Sequence, residues 1–244
     1  MTAWIAFWSI LRKDMTTYYL KPPNISWGII FPVAWTLAFF MRSSTPVDVR
    51  SILPGVMIMS VLFGTTSMLS VTITFERRSA SFNRLLLAPI SLTLLILAKT
   101  SGAILFGVAN AFVPMLFALF VTNLGGIHWG TLFAAVLFTA VTSTLLALFI
   151  AVSVSEVFEA QTFSNFFRFP MIFLCGLFVP LGDLPWYVRP LSFILPPTYG
   201  VDLARSAITG SGSIPFGVSL SVLSAMTALL FAGSLANVKR RWVL

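Results

Sequence analysis

Few residues in this chain have side chains suited to catalysis or metal binding, and they are spread far apart. One cysteine, Cys175, excludes an internal disulfide, and one histidine, His128, excludes a His-rich metal site. Asp14, Asp48, Asp183 and Asp202 are scattered, so the clustered carboxylates that a magnesium-dependent isoprenoid transferase needs are missing. A phosphate-cradling loop requires Gly-x4-Gly-Lys-Ser/Thr. Lys13, Lys21, Lys99 and Lys239 are the lysines, none of them follows a glycine, and Lys99-Thr100 lacks both glycines of the motif. What remains is contact chemistry in two segments. The first runs from Phe75 to Pro89 and holds Glu76, Arg77, Arg78 and Arg84. Phe82, Leu85 and Leu86 within it fall at i, i+3 and i+4, an apolar stripe that Arg78 flanks. Such a stripe fits a helix docking on another protein, or an amphipathic connector lying on lipid. The second runs from Gly176 to Arg205 and is apolar, yet Pro180, Pro185, Pro190, Pro196 and Pro197 forbid one continuous helix.

The elements that position these segments follow from composition. The 244 residues are 58% hydrophobic and 9% charged, with mean hydropathy +0.97. An ordinary soluble domain is about 25% charged, so a soluble enzyme, a nucleic-acid-binding domain and a disordered tail are all excluded. Charge-free runs then locate membrane spans, because about 20 helical residues cross the hydrocarbon core. One span lies between Lys21 and Arg42, after Pro22-Pro23 and bent at Pro32. Another lies between Arg50 and Glu76. The uncharged stretch from Lys99 to Glu156 breaks at 123–128 into two. A short fifth span lies between Arg168 and Asp183, and a sixth runs from about Phe216 to Ala236. This reading makes the chain an all-α polytopic membrane protein with six transmembrane helices.

Charge orients the spans. Arg12, Lys13, Lys21, Arg77, Arg78, Arg84, Lys99, Arg168, Lys239, Arg240 and Arg241 fall on one side, against Arg42, Arg50, Arg189 and Arg205 on the other. The positive-inside bias puts the first side, with both termini, in the cytoplasm. That leaves 76–99 and 156–168 as cytoplasmic loops, with Glu156 and Glu159 near a helix N-terminus, where its dipole favours them. The charges of the first 20 residues follow their apolar run, unlike those of a signal peptide. Trp4, Trp8, Leu11, Met15 and Tyr18 recur there at helical spacing, as expected of a helix in the cytoplasmic interface or one packed on cytoplasmic protein. The proline-broken outer segment reads as short helices dipping into the outer leaflet. Broken backbone is tolerated at that depth only where it is buried in protein or lines a cavity.

In this topology and in its motifs, the chain resembles the membrane subunit of an ABC-2 type ATP-binding-cassette exporter, the group that includes bacterial drug, polysaccharide and nodulation-factor exporters. The family's loop after the second span reads acidic-Arg-x-x-Gly-Thr, a Leu pair, then Pro-Ile/Val-Ser. Here those positions are Glu76-Arg77, Ala80-Ser81, Leu85-Leu86 and Pro89-Ile90-Ser91, with Lys99 at the family's lysine. Ala80 stands where glycine is usual, which makes the local backbone less permissive. The outer Pro-x4-Pro, Pro196-Pro197-Thr198-Tyr199 and the Asp202-x-x-Arg205 pattern match the family's last outer segment.

The resemblance implies a single domain over residues 1–244 of the ABC-2, type V exporter-like fold. It comprises an interface helix at 1–20, a coupling-helix loop at 76–89 and an outer re-entrant segment at 180–200. Glu76, Arg77, Arg78, Ser81, Phe82, Arg84 and Leu85 would contact a nucleotide-binding subunit. Pro180, Pro185, Trp186, Pro196, Pro197 and Tyr199 would form an outer gate. Two copies, a homodimer or a close heterodimer, would enclose a pathway between their second and fifth spans. Ser60, Gly64, Ser67, Phe173 and Gly176 are candidate lining residues, although Ser60-x3-Gly64 equally fits helix packing. ATP and magnesium belong to two partner ATPase subunits. The chain itself binds no cofactor or metal, is not an enzyme, and has membrane lipid but no nucleic acid as a partner. The implied setting is the bacterial inner membrane. With 24 Phe against 4 Tyr and 7 Trp, the cargo leans towards an apolar or amphipathic drug or lipid-like molecule. A polysaccharide or lipo-oligosaccharide cargo is the alternative. An ATP-independent secondary transporter ranks below both, since the halves show no repeat.

Overall fold

The computed structural model describes residues 2–22, 24–26, 28, 30, 32–34, 37 and 48–240. The described residues contain helices and turns and no strand. The expected first span, between Lys21 and Arg42, falls largely outside them, as does the side chain of Ser67.

In chain order the helices are α1 (Thr2–Asp14), α2 (Val49–Arg78), α3 (Ser81–Leu86), α4 (Leu92–Ala118), α5 (Trp129–Ser153), α6 (Val157–Leu174), α7 (Arg189–Ser192), α8 (Pro196–Thr209) and α9 (Phe216–Val238). A single π turn, Met15–Tyr19, continues α1. Four of them, α2, α4, α5 and α9, are long and apolar enough to cross a membrane. Helix α2 is the axis of the bundle and packs against α4, α5, α6 and α8. Its N-terminus is capped by Asp48, whose side chain accepts from the Arg50 amide, and its last turn carries Arg77 and Arg78, where cations suit the helix dipole. The hydroxyls inside it are satisfied locally. Ser60, Thr65, Thr66, Ser70 and Thr74 each donate to the carbonyl four residues earlier, so a hydroxyl-rich helix can lie wholly in an apolar core.

Two span boundaries read from charge are corrected. Helix α4 starts at Leu92, not after Lys99, so Lys99 lies two turns inside it and is buried. Residues 156–168 form no loop. Helix α6 runs from Val157 to Leu174, Arg168 lies well inside it at 3% exposure, and the helix ends where Gly176 takes a left-handed φ of +75°. In both places the charged group is held inside the protein, Lys99 by carboxylates and Arg168 by neutral hydrogen-bond acceptors, and does not mark the edge of the helix. The helix N-terminus expected at Glu156 and Glu159 is present: the Glu159 carboxylate accepts from the Ser155 and Glu156 amides at 3.1 and 3.3 Å.

Candidate functional site

The loop between α2 and α4 is held by a cluster of four charges. Glu76, in the last turn of α2, is fully buried. Its carboxylate accepts from Lys99 Nζ at 2.5 Å, from Lys13 Nζ and, at 3.1 Å, from the Tyr18 hydroxyl. Lys99 also reaches the buried carboxylate of Asp14 at 2.9 Å. Two carboxylates and two ammonium groups thus neutralise each other where α1, α2 and α4 meet. Burial alone would lower the Lys13 pKa, but hydrogen bonding and charge from Glu76 and Asp14 outweigh it and hold the ammonium above the ordinary lysine range.

Beyond Glu76 the chain turns sharply. Ser79 and Ser81 both donate to the Glu76 carbonyl, and between them Ala80 takes φ +56°. This is the position at which the resemblance expects glycine, and the conformation accounts for that preference. The turn launches α3, whose Phe82 is 2% exposed and packs with Ile10 of α1 and with Leu95 and Ala98 of α4. Leu85 and Leu86 are half-buried against the same cluster. On the other side Arg78 pairs with Glu156, and Arg77 donates to the Val154 carbonyl at 3.4 Å.

Of the seven residues expected to meet a partner, Glu76 and Phe82 are therefore turned into the chain's own interior. Arg84 and Arg78 are exposed, Ser81, Leu85 and Arg77 partly so, and the neighbouring Leu87 is 86% exposed. Sequence reading missed Lys13 and Lys99 as partners of Glu76, and Asp14 as the second carboxylate facing both lysines. The available signal was Lys99, a lone lysine among apolar residues that needed a counter-charge.

The other end of the bundle carries the proline-broken segment. It contains a short 3-10 turn at Leu181–Asp183, then α7, and then α8, which continues beyond the expected 180–200 limits to Thr209. Pro180, Pro185 and Trp186 are exposed, whereas Pro196 and Pro197 open α8 and are buried. The Thr198 and Tyr199 hydroxyls donate back to the carbonyls of Ser192 and Phe193, at 2.5 and 2.8 Å, tying α7 to α8. The arginines do the rest. Arg189 donates to the Leu181 and Gly182 carbonyls, Arg205 to Gly176, and Arg50 to Gly125 and Ile208. Each satisfies carbonyls that the broken helices leave without partners. The Asp202 carboxylate accepts from the Ser213 and Ile214 amides.

Between the two ends runs a polar seam joining α2 and α6. Ser70 and Ser164 hydroxyls lie 2.7 Å apart, and Arg168 donates to Thr66 Oγ1 and to Asn165 Oδ1. Ser60 and Gly64, expected on a pathway, face the chain's own interior. Gly64 lies so close to α4 that an added Cβ would sit 2.9 Å from Asn110 Nδ2 and 3.2 Å from Gly107 Cα, as in helix packing. Phe173 is 55% exposed on α6, and Gly176 is buried beyond its end.

The sequence profile of the family described as ABC-2 type transporter matches residues 5–209. The chain belongs to that family. The match runs from α1 through α8, so it takes in the first helix, the charged loop and the proline-broken segment together. Comparison with curated protein sequences found no match. As an ABC-2 membrane permease domain the protein has no ATPase activity itself, and ABC-2 permeases generally work with separate ATPase subunits. Among the described residues of the permease, no group of three or more His, Cys, Asp or Glu side chains is placed to hold a metal ion.

Proposed function

We propose that this ABC-2 permease is the transmembrane subunit of an ATP-driven exporter. It moves an amphipathic or apolar cargo outward across the bacterial inner membrane, with both termini cytoplasmic. Two copies assemble with two ATPase subunits, which dock on the 76–89 loops. The observation that carries this reading is the cluster in which buried Asp14, Glu76 and Lys99 are joined by the more exposed Lys13. A loop that only connected two spans would need no such anchorage. Here the turn carrying α3 is joined rigidly to α1, α2 and α4, so a push on its exposed face moves three helices as one body. Arg84, Leu85 and Leu87, with Arg77, Arg78 and Ser81, form the face that meets the ATPase, and Glu76 and Phe82 hold that face in place from behind.

In each cycle, closure of the ATPase pair would drive the two basic ends together. That motion would reach the polar seam through α2 and open the outer segment, in which Trp186 and Tyr187 stand exposed and Pro196-Pro197 open α8 in the interior. The large exposed Phe166, Phe167, Phe169 and Phe173 along α6 supply an apolar face for a second copy or for cargo. Affinity purification from the native host tests the reading. An ATP-binding-cassette ATPase should co-purify with the permease, and a preparation that brings down no ATPase overturns it.

A further inference from the structure

Arg168 is a full positive charge that this chain does not balance. Its guanidinium is always protonated at physiological pH. It lies over the Phe63 ring, 4.5 Å from the centroid, and its donors go to neutral acceptors, Thr66 Oγ1 at 2.7 and 2.9 Å and Asn165 Oδ1 at 3.1 Å. Thr66 lies about 18 Å along α2 from Arg78, at 1.5 Å per residue. The charge is therefore deep within a hydrocarbon core about 30 Å thick. An ionised group at that depth is costly and ordinarily has an opposite charge to meet.

The seven acidic residues are all elsewhere. Asp14 and Glu76 face Lys99. Asp48 caps α2, Glu156 pairs with Arg78, and Glu159 binds the amides opening α6. Asp202 binds the Ser213 and Ile214 amides, and Asp183 lies in the exposed turn after α6. All seven stand at or near the bundle's ends, so a second copy of the chain brings no carboxylate to this depth either.

The surroundings favour a transient ligand over a permanent partner. Arg168 belongs to a polar stripe with Gln161, Ser164 and Asn165 at helical spacing, and Asn165 is only half-buried. Asn165, which holds Nη1 and lies one turn from the exposed Phe169, is the group that would rotate to admit an anion from the face carrying Phe166, Phe169 and Phe173. An anion arriving there would replace a neutral acceptor with one of opposite charge, adding a Coulombic attraction that a low-dielectric setting screens little. Its chain would lie on the phenylalanines.

We infer that Arg168 is the cargo's anion-recognition residue, and that the cargo is an amphiphile with one anionic head group, such as a carboxylate or phosphate, on an apolar chain. This rests on the exporter reading above and narrows its cargo class.

The test uses the purified full-length permease in nanodiscs and two probes, a 12-carbon fatty acid with a terminal fluorophore and its methyl ester, with empty nanodiscs subtracted. The wild type should bind the acid at least tenfold more tightly than the ester at neutral pH. Arg168→Gln should bring the two within twofold by weakening the acid alone, and Arg168→Lys should keep part of the preference. A wild-type ratio below twofold overturns the inference without recourse to any variant, as does an unchanged ratio in a folded Arg168→Gln protein. Binding needs no ATPase. An acid preference without a co-purifying ATPase would sink the exporter reading alone, and an ATPase-bound permease without the preference would sink this inference alone.

Discussion

Lys99 is 1% exposed and stands between two buried carboxylates, Asp14 and Glu76. Removing one partner of such a cluster leaves a buried charge uncompensated, which costs about 3–5 kcal/mol. Lys99→Met should therefore lower the thermal midpoint of the detergent-purified permease sharply. Adding Glu76→Gln should recover part of the loss, because it removes the stranded charge. An unchanged midpoint in the single variant would show that the cluster is not formed. Lys13 gives the pH dependence its sign. A lysine whose pKa is raised by folding contributes stability below its unfolded value, about 10.4, and loses it as pH climbs through the higher folded value. The attachment of α1 should thus hold through the neutral range and weaken only in strongly alkaline buffer, as followed by Trp4 and Trp8 fluorescence. At Ala80 the left-handed backbone is costly for a residue with a Cβ, so Ala80→Gly should stabilise the permease by about 1 kcal/mol. A lower midpoint would contradict the strained turn. This position was legible in sequence as a departure from the family pattern. The Glu76–Lys99 pairing was not, because pairing depends on how α2 and α4 sit side by side, and 22 intervening residues say nothing of that.

The elements divide into those that charge and apolar runs place correctly and those they misplace. Helices α2, α5 and α9 begin and end within a few residues of the runs that predict them, since their ends coincide with charges, Gly, Pro or capping residues. Helices α4 and α6 do not, because Lys99 and Arg168 look like the edges of spans until their partners are seen. Close packing between elements is a further level that sequence leaves open. Gly55 of α2 approaches the chain just past α6, and an added Cβ would sit 2.3 Å from the Leu177 carbonyl oxygen. That oxygen is backbone and cannot swing away. Gly55→Ala should therefore destabilise by about 1–3 kcal/mol, as overpacking does, and loosen α2 from the proline-broken segment. Wild-type stability in this variant would show that the two are not in contact. The charged loop behaves differently from its anchors. Arg84→Glu on the exposed face should lower cargo-stimulated ATPase activity in the assembled complex and leave the thermal midpoint unchanged. A lowered midpoint would instead place Arg84 among the structural residues.

At the scale of the whole molecule, one end gathers α1, the loop and the end of α9, and the other gathers the proline-broken segment and its carbonyl-binding arginines. Val238 of α9 belongs to the same buried cluster as Tyr19, Leu69 and Ile73, which brings the last turn of α9 to the end of the bundle that carries the charged loop. The direction in which this axis crosses the membrane follows from the proposed orientation. Ser211, exposed between α8 and α9, should react as Ser211→Cys with a membrane-impermeant thiol reagent on intact cells, in a Cys175→Ala background. Labelling that appears only after lysis would reverse the orientation. The central claim is that the loop held by Lys13, Asp14, Glu76 and Lys99 is where an ATPase docks. Photo-crosslinking from residue 84 in the membranes of the native host tests it most directly, with position 186 at the other end as control. The account predicts a crosslink from 84 to an ATP-binding-cassette ATPase and none from 186. No ATPase adduct at 84, or one at 186, would contradict it.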